Sequence, residues 1–193
     1  MTTAVSDGAR VIQGRDSSGL LRDLSADAIT DGLVVIDAIH NLTHTGNMHV
    51  FSIKGTVAIG ATGYFLGRVG TIKAHLLHYY INTNDGPVDI TFYEAPTISV
   101  VGTLQTVRNK NRNYADTNNL SVYTGPTVTG DGTLLYTTGV LASAQGSHFI
   151  DSAAIDPDEW VLAANTDYLF KVVNTSGRVV TFLAHWQWLE LPI

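Results

Sequence analysis

The alternation of apolar and polar residues along the chain predicts β-strands. Neighbouring side chains of an extended strand point to opposite faces, so a half-buried strand shows a period of two. The clearest example is the final stretch, 179–191, where alternate residues are large and apolar. No stretch carries a strong apolar stripe at helical spacing. The predicted strands are residues 33–38, 48–54, 71–81, 88–94, 120–124, 159–162, 167–174 and 179–191.

Glycine, serine and threonine are concentrated between these strands and predict loops. Residues 58–70 and 128–152 are predicted to be loops, the second with a short strand at 134–136. The turn sequence at 84–87 predicts a hairpin that joins the strands on either side of it.

Residues 1–30 are polar and weakly periodic, which predicts an extended N-terminal arm that orders against another subunit. Within the arm, four apolar residues between Leu20 and Ile29 roughly share one helical face, which is compatible with a short helical turn. Residues 31–193 form one predicted domain. Short strands, glycine-rich turns and the lack of a strong amphipathic helix predict an all-β fold, an antiparallel β-sandwich or jelly roll.

The composition restricts the chemistry. The chain has 193 residues, of which 45% are hydrophobic and 15% charged, with a net charge of −6 and no cysteine. Disulfides and thiolate metal sites are therefore excluded. No apolar run approaches the length of a spanning helix and the N-terminus does not resemble a signal peptide, so a soluble protein without membrane partners is predicted. The acidic balance argues against a protein that coats nucleic acid.

One stretch departs from this acidic balance, and we call residues 107–113 the basic segment. No acidic residue occurs between Glu94 and Asp116. In an extended conformation its cations would lie on one side and its amides on the other. The alternating residues are the cations Arg108, Lys110 and Arg112 and the amides Asn109, Asn111 and Asn113.

Three interpretations of the basic segment are open: a solvated edge, a contact with an acidic protein, or a nucleic-acid site. Proteins that bind single strands interleave aromatic residues with the cations, and only Tyr114 adjoins this run. We therefore predict that these six residues contact an acidic protein partner, and that nucleic acid is not the partner.

Seven histidines raise the question of a metal site. His40, His44 and His49 are close in sequence, but Gly46 and Asn47 lie among them and exclude the helix that would aim such a spacing at one point. We predict that they bind no metal.

No sequence feature indicates catalysis or a cofactor. The motifs of serine hydrolases, phosphate-binding loops and cysteine nucleophiles are absent from the sequence. Asp156, Asp158 and Glu159 are interpreted as a capped turn on a solvated face. Trp186 and Trp188 share one strand face and are interpreted as core or subunit interface rather than as a sugar platform. The prediction is a protein that is not an enzyme.

Three stretches together resemble small structural proteins of tailed bacteriophages. The first is IDAIHNLTHTGNMHVF at 36–51, the second is VRNKNRN followed by VYTGPTVTGDGT, and the third is EWVLAANTDYLFKVVNTSGRVV near the C-terminus. The resemblance spans residues 30–191 and transfers no catalytic residue.

The resemblance implies a virion structural protein, and we expect a head decoration (cement) protein. Such a protein sits on the capsid surface, binds the major capsid protein and stabilises contacts between its subunits. Local threefold axes of a shell favour a homotrimer. Two alternatives remain open: a tail or fibre subunit, for which no repeat is found, and a carbohydrate-binding β-sandwich module, for which Trp160 near Asp158 is the one weak candidate.

Overall fold

The computed structural model describes residues 12–15, 21–24, 42–83, 86–140, 148–151 and 160–191. The chain divides into two compact units, residues 1–41 and 42–193. In the first unit, β1 (Ile12–Arg15) pairs antiparallel with β2 (Leu21–Leu24). The helical turn considered for this region is therefore wrong at Leu21–Leu24, where cross-strand hydrogen bonds replace a turn too short to be stable alone. The strand predicted at 33–38 lies outside the described residues.

Strands dominate the second unit, and helix in its described residues is confined to 42–44. No helix in the described part of the chain has the length and apolar character that crossing a membrane requires. The strands are β3 (Met48–Val57), β4 (Thr62–Val69), β5 (Ala74–Thr83), β6 (Val88–Glu94), β7 (Thr97–Val100), β8 (Thr103–Leu104), β9 (Arg108–Asn109), β10 (Leu120–Thr124), β11 (Thr127–Gly130), β12 (Thr133–Val140), β13 (His148–Asp151), β14 (Trp160–Leu162), β15 (Asp167–Asn174) and β16 (Val180–Glu190).

Two antiparallel sheets build this unit. The first sheet has the order β12-β6-β15-β4-β10-β8, and the second has the order β13-β5-β16-β3-β9, with β14 also paired to β5. The inward residues of both sheets form one hydrophobic core. The predicted all-β antiparallel sandwich is confirmed; the jelly-roll topology stays a prediction.

Trp186 lies at the centre of the core. Its ring centroid is 4.6 Å from that of Phe170 on the first sheet and 5.9 Å from that of Phe51 on the second. Gly67 of β4 faces this ring, and a Cβ at that position would lie 3.3 Å from both Trp186 and Leu120. The strand predicted over β16 is confirmed, and its two tryptophans are buried in the core.

Two predicted loops are wrong. Residues 58–70 contain β4, which lies inside the first sheet, and its glycines are accommodated because the large Trp186 ring fills the space beside Gly67. Residues 128–152 contain most of β11 and all of β12 and β13, which are stabilised by pairing with β7, β6 and β5 rather than by local apolar alternation. The short strand predicted at 134–136 is confirmed and lies within β12.

The predicted hairpin at 84–87 is also wrong. β5 belongs to the second sheet and β6 to the first, so the chain passes from one sheet to the other at this point. A turn sequence indicates that the chain reverses, but the partner of each strand is selected by core packing.

A two-stranded ribbon, formed by β7 and β11, crosses the outer face of the first sheet. The two strands pair with each other and not with either large sheet. β7 follows β6, which lies next to the β12 edge, whereas β8 lies at the opposite edge. Three bonds join the ends of the ribbon to β15 and β4: Ala95 N to Asp167 O (2.8 Å), Gly125 N to Tyr64 O (3.2 Å) and Lys171 Nζ to Asp131 Oδ2 (2.5 Å).

Leu66 and Leu169 show that this face is covered. They point outward, because Phe65 and Phe170 beside them point into the core, yet both leucines are 0% exposed. The outer face of the second sheet is different: Leu183, which points outward between Phe182 and Ala184, is 37% exposed.

The same leucine-to-alanine substitution should lower the free energy of unfolding by different amounts on the outer faces of the two sheets. Leu169→Ala should lower the free energy of unfolding by about 2–5 kcal/mol, because it leaves a cavity beneath the ribbon. The matched control Leu183→Ala should change it by no more than about 0.5 kcal/mol. Urea denaturation of both variants measures the difference, and equal losses would contradict the covering role of the ribbon.

Candidate partner-binding surface

The basic segment folds back on its own domain instead of running as an extended strand. Arg108 and Asn109 pair with β3, opposite Val50 and His49, and Lys110 N–H is the last backbone group of the segment to bond to that strand. The chain then turns, and the Tyr114 N–H donates to the Asn111 carbonyl at 3.0 Å. The expectation of cations on one side and amides on the other is therefore wrong beyond Asn109.

Two asparagine side chains hold this turn in place. Asn109 is 2% exposed, and its amide Nδ2 donates to the Gly46 carbonyl at 2.6 Å while its Oδ1 accepts from the Asn111 N–H at 2.9 Å. The Asn111 Nδ2 donates to the His44 carbonyl at 2.8 Å, and its Oδ1 accepts from the Asn113 N–H at 3.1 Å. Successive side-chain-to-backbone bonds of this kind are typical of Asx turns. Asn109 and Asn111 therefore anchor the segment to its own domain.

Asp116 pairs with two of the three cations. Its carboxylate accepts from Arg112 Nη1 at 2.5 Å, from Arg108 Nη1 at 2.7 Å and from the Asn109 N–H at 2.8 Å. The bonds from Arg112, then Arg108, then the Asn109 N–H hold the pKa of Asp116 well below its usual range. Sequence reasoning missed this role, although Asp116 is the first acidic residue after the basic segment.

Lys110 differs from the two arginines. Its Nζ donates to Gln187 Oε1 of β16 at 3.2 Å, and no carboxylate among the described residues pairs with it. Because Gln187 points away from the core, Lys110 reaches onto the outer side of the second sheet. Of the three predicted cations, Lys110 is the one that the described part of the chain leaves without an ion pair.

We call this outer side, formed by outward residues of β3, β5 and β16, the open face. At its centre Ser52 Oγ lies 2.6 Å from His185 Nδ1, and the Tyr80 ring stacks on the imidazole with centroids 4.8 Å apart. Burial lowers the pKa of His185, and the charges of Lys110 and His78 lower it further. Sequence reasoning treated His185 as isolated, because its neighbours are cross-strand partners that only the register identifies. A shallow depression of about 200 Å³ lies at the Lys54 end of this face.

Two of the three clustered histidines are described, and they differ in burial: His44 is exposed and His49 is buried. His40 lies outside the described residues. His49 is buried, stacks on Trp188 with centroids 5.8 Å apart, and lies 3.7 Å from the Glu190 carboxylate. Among the described residues, no group of three or more potential ligands could hold a metal ion. The absence of a bound metal stays a prediction.

Glu190, the last residue of β16, bonds to the residues at the start of β10. Its carboxylate accepts from the N–H groups of Asn119 and Leu120 at 2.6 and 2.8 Å and from the Trp188 indole at 2.8 Å. Burial lowers the pKa of His49, although the charges of Glu190 and Asp116 oppose this effect.

The other candidate residues gain no chemical role. Asp156, Asp158 and Glu159 lie outside the described residues. The Trp160 ring packs edge-on against Phe92 with centroids 5.7 Å apart, so it belongs to the margin of the core.

No family model matches the chain, and no curated protein matches it.

The buried Asn109 and the exposed Asn113 should contribute differently to the stability of the domain. Asn109→Ala should lower the free energy of unfolding by about 1–3 kcal/mol, because it leaves the Gly46 carbonyl without its buried donor. Asn113→Ala, which removes an exposed side chain, should have an effect within about 0.5 kcal/mol. Chemical denaturation measures both, and a larger loss for Asn113→Ala would contradict the anchoring role of Asn109.

Proposed function

We propose that this protein is a non-enzymatic structural protein of a tailed-bacteriophage particle, and specifically a head decoration protein. It binds the outside of the shell through the major capsid protein and stabilises contacts between capsid subunits. Attachment uses the basic segment and the adjoining open face.

One observation carries the proposal: two of the stretches on which the phage resemblance depends meet in the structure. The described part of the first stretch, residues 42–51, and the basic segment are far apart in the chain, yet Asn109 and Asn111 donate to backbone carbonyls at Gly46 and His44. Lys110 N–H adds a bond to the Met48 carbonyl at 2.9 Å. The shared residues therefore specify one structural unit that presents cations, and none of these contacts resembles catalytic machinery.

The rigidity of the domain supports the same role. The sandwich has an aromatic core, the ribbon covers one outer face, and the basic segment is fixed by hydrogen bonds rather than left as a mobile loop. A protein that bridges capsid subunits needs such a body, because a flexible one would lose much of its binding energy to ordering. A homotrimer would match the local threefold axes of a shell.

The first test is the particle itself. Purified virions should contain the protein in hundreds of copies, and light scattering coupled to size exclusion should give about three chain masses for the free protein. A few copies per virion would indicate a tail or fibre subunit instead. A monomer at micromolar concentration would contradict the trimeric form of the proposal.

The second test compares the contributions of Arg108, Lys110 and Arg112 to capsid binding. Lys110→Ala should weaken binding to undecorated capsids about 2- to 5-fold, the range expected for one exposed charge contact. Arg108→Ala and Arg112→Ala should each have a smaller effect, because their guanidinium groups already pair with Asp116. Occupancy at low and moderate salt is the measurement, and the difference should narrow as salt screens the contact. Wild-type occupancy for Lys110→Ala would contradict the assignment.

A further inference from the structure

The open face presents cations that the described part of the chain leaves without a carboxylate. Lys54 and Lys110 make no ion pair among the described residues, whereas Arg68 and Lys171 on the opposite sheet pair with Asp167 and Asp131 at 2.7 and 2.5 Å. In a protein of net charge −6, a face of this kind is electrostatically complementary to an acidic partner.

The positions of β16 beside these groups have the spacing of an extended chain. Lys54 lies opposite Leu183 in the register, and Gln187, to which Lys110 is bonded, is four residues further along β16. His185 lies midway, so the three positions follow one another at intervals of about 6.6 Å over about 13 Å. Carboxylates at alternate positions of an extended segment repeat at the same interval.

His185 provides the central contact. Ser52 Oγ bonds its Nδ1 and Tyr80 stacks on its ring, while its Nε2 makes no hydrogen bond within the described part of the chain. In the charged imidazolium both nitrogens donate. Nδ1–H then donates to Ser52 Oγ, and Nε2–H is available to a carboxylate of the partner. The groups that face the ring are Ser52 and Lys54 from β3, Tyr80 and His78 from β5, and Lys110 from the basic segment.

We infer that the open face binds an extended acidic protein segment, with Lys54, His185 and Lys110 each contacting one of three carboxylates at alternate positions, and that acidification strengthens this binding. A carboxylate beside Nε2 favours the charged imidazole, so protonation and binding support each other. The choice of an acidic protein as the partner rests on the proposed function.

The test uses synthetic peptides with the full chain. The peptide Glu-Thr-Glu-Thr-Glu is compared with Thr-Glu-Glu-Glu-Thr, which has the same charge in another order, by isothermal titration at pH 7.5 and 5.5. The alternating peptide should bind about 2- to 5-fold more tightly, because it gains one more carboxylate contact. Its affinity should increase on acidification to pH 5.5.

Variants assign the contacts. Lys54→Gln and Lys110→Gln should each weaken binding of the alternating peptide about 2- to 5-fold. His185→Gln should abolish the increase between pH 7.5 and 5.5. Arg178→Gln is the matched control: it also removes one positive charge, but Arg178 lies in the turn after β15 and should leave the affinity unchanged. Thermal unfolding at both pH values verifies that each variant is folded.

Three results would overturn the inference. The first is the absence of peptide binding. The second is an equal affinity for the two peptides together with a loss of affinity in Arg178→Gln as large as that in Lys54→Gln and Lys110→Gln. The third is peptide binding only after Asp156, Asp158 and Glu159 are neutralised. The last would assign the open face to an acidic segment of the chain itself. Peptide binding by a protein that is absent from virions would defeat the proposed function and leave the inference standing.

Discussion

The connection between β9 and β10 is fixed at both ends by hydrogen bonds, and these bonds determine where the cations of the basic segment lie. Near its start, Asn109 donates to the Gly46 carbonyl, and at its end the Glu190 carboxylate accepts from the Asn119 and Leu120 N–H groups. Backbone groups of a long connection need partners when they are buried, and here buried side chains provide them. These bonds hold the connection against β3 and β16, and there Lys110 donates to Gln187.

The strands that were predictable from the sequence are apolar runs of strand length whose alternate residues can face a core. β15 was predicted with the bounds that the structure shows, because its apolar residues face the core at every second position. β4 was missed and β12 was predicted only at 134–136, because glycine and threonine replace apolar residues in both strands. The space beside Gly67 of β4 is filled by a ring on the other sheet. No local pattern in the chain encodes that compensation.

The candidate surface was predictable only in part, for a related reason. The cations of the basic segment were evident from the sequence, but the pairing of Arg108 and Arg112 with Asp116 depends on a turn that only the folded backbone specifies. His185 and Ser52 are far apart in the chain and become neighbours through the register of β16 and β3. Register follows from which residues the core accepts, so it requires both strands at once.

His49 and His185 lie on opposite sides of the second sheet. Protonation of His49 affects the stability of the domain, whereas protonation of His185 affects the proposed binding of an acidic partner. Burial lowers the pKa of His49, so the unfolded chain binds that proton more tightly than the folded chain does. Its contribution to stability is present above the ordinary value of 6.5 and is lost as the pH falls from there through the pKa of the folded state. Burial also lowers the pKa of His185, but this residue lies on the open face, where an acidic partner can stabilise its charged form. We therefore expect acidification to strengthen the proposed contact, whereas protonation of His49 lowers the stability of the folded domain. A bound partner offsets that loss because it stabilises the folded state alone.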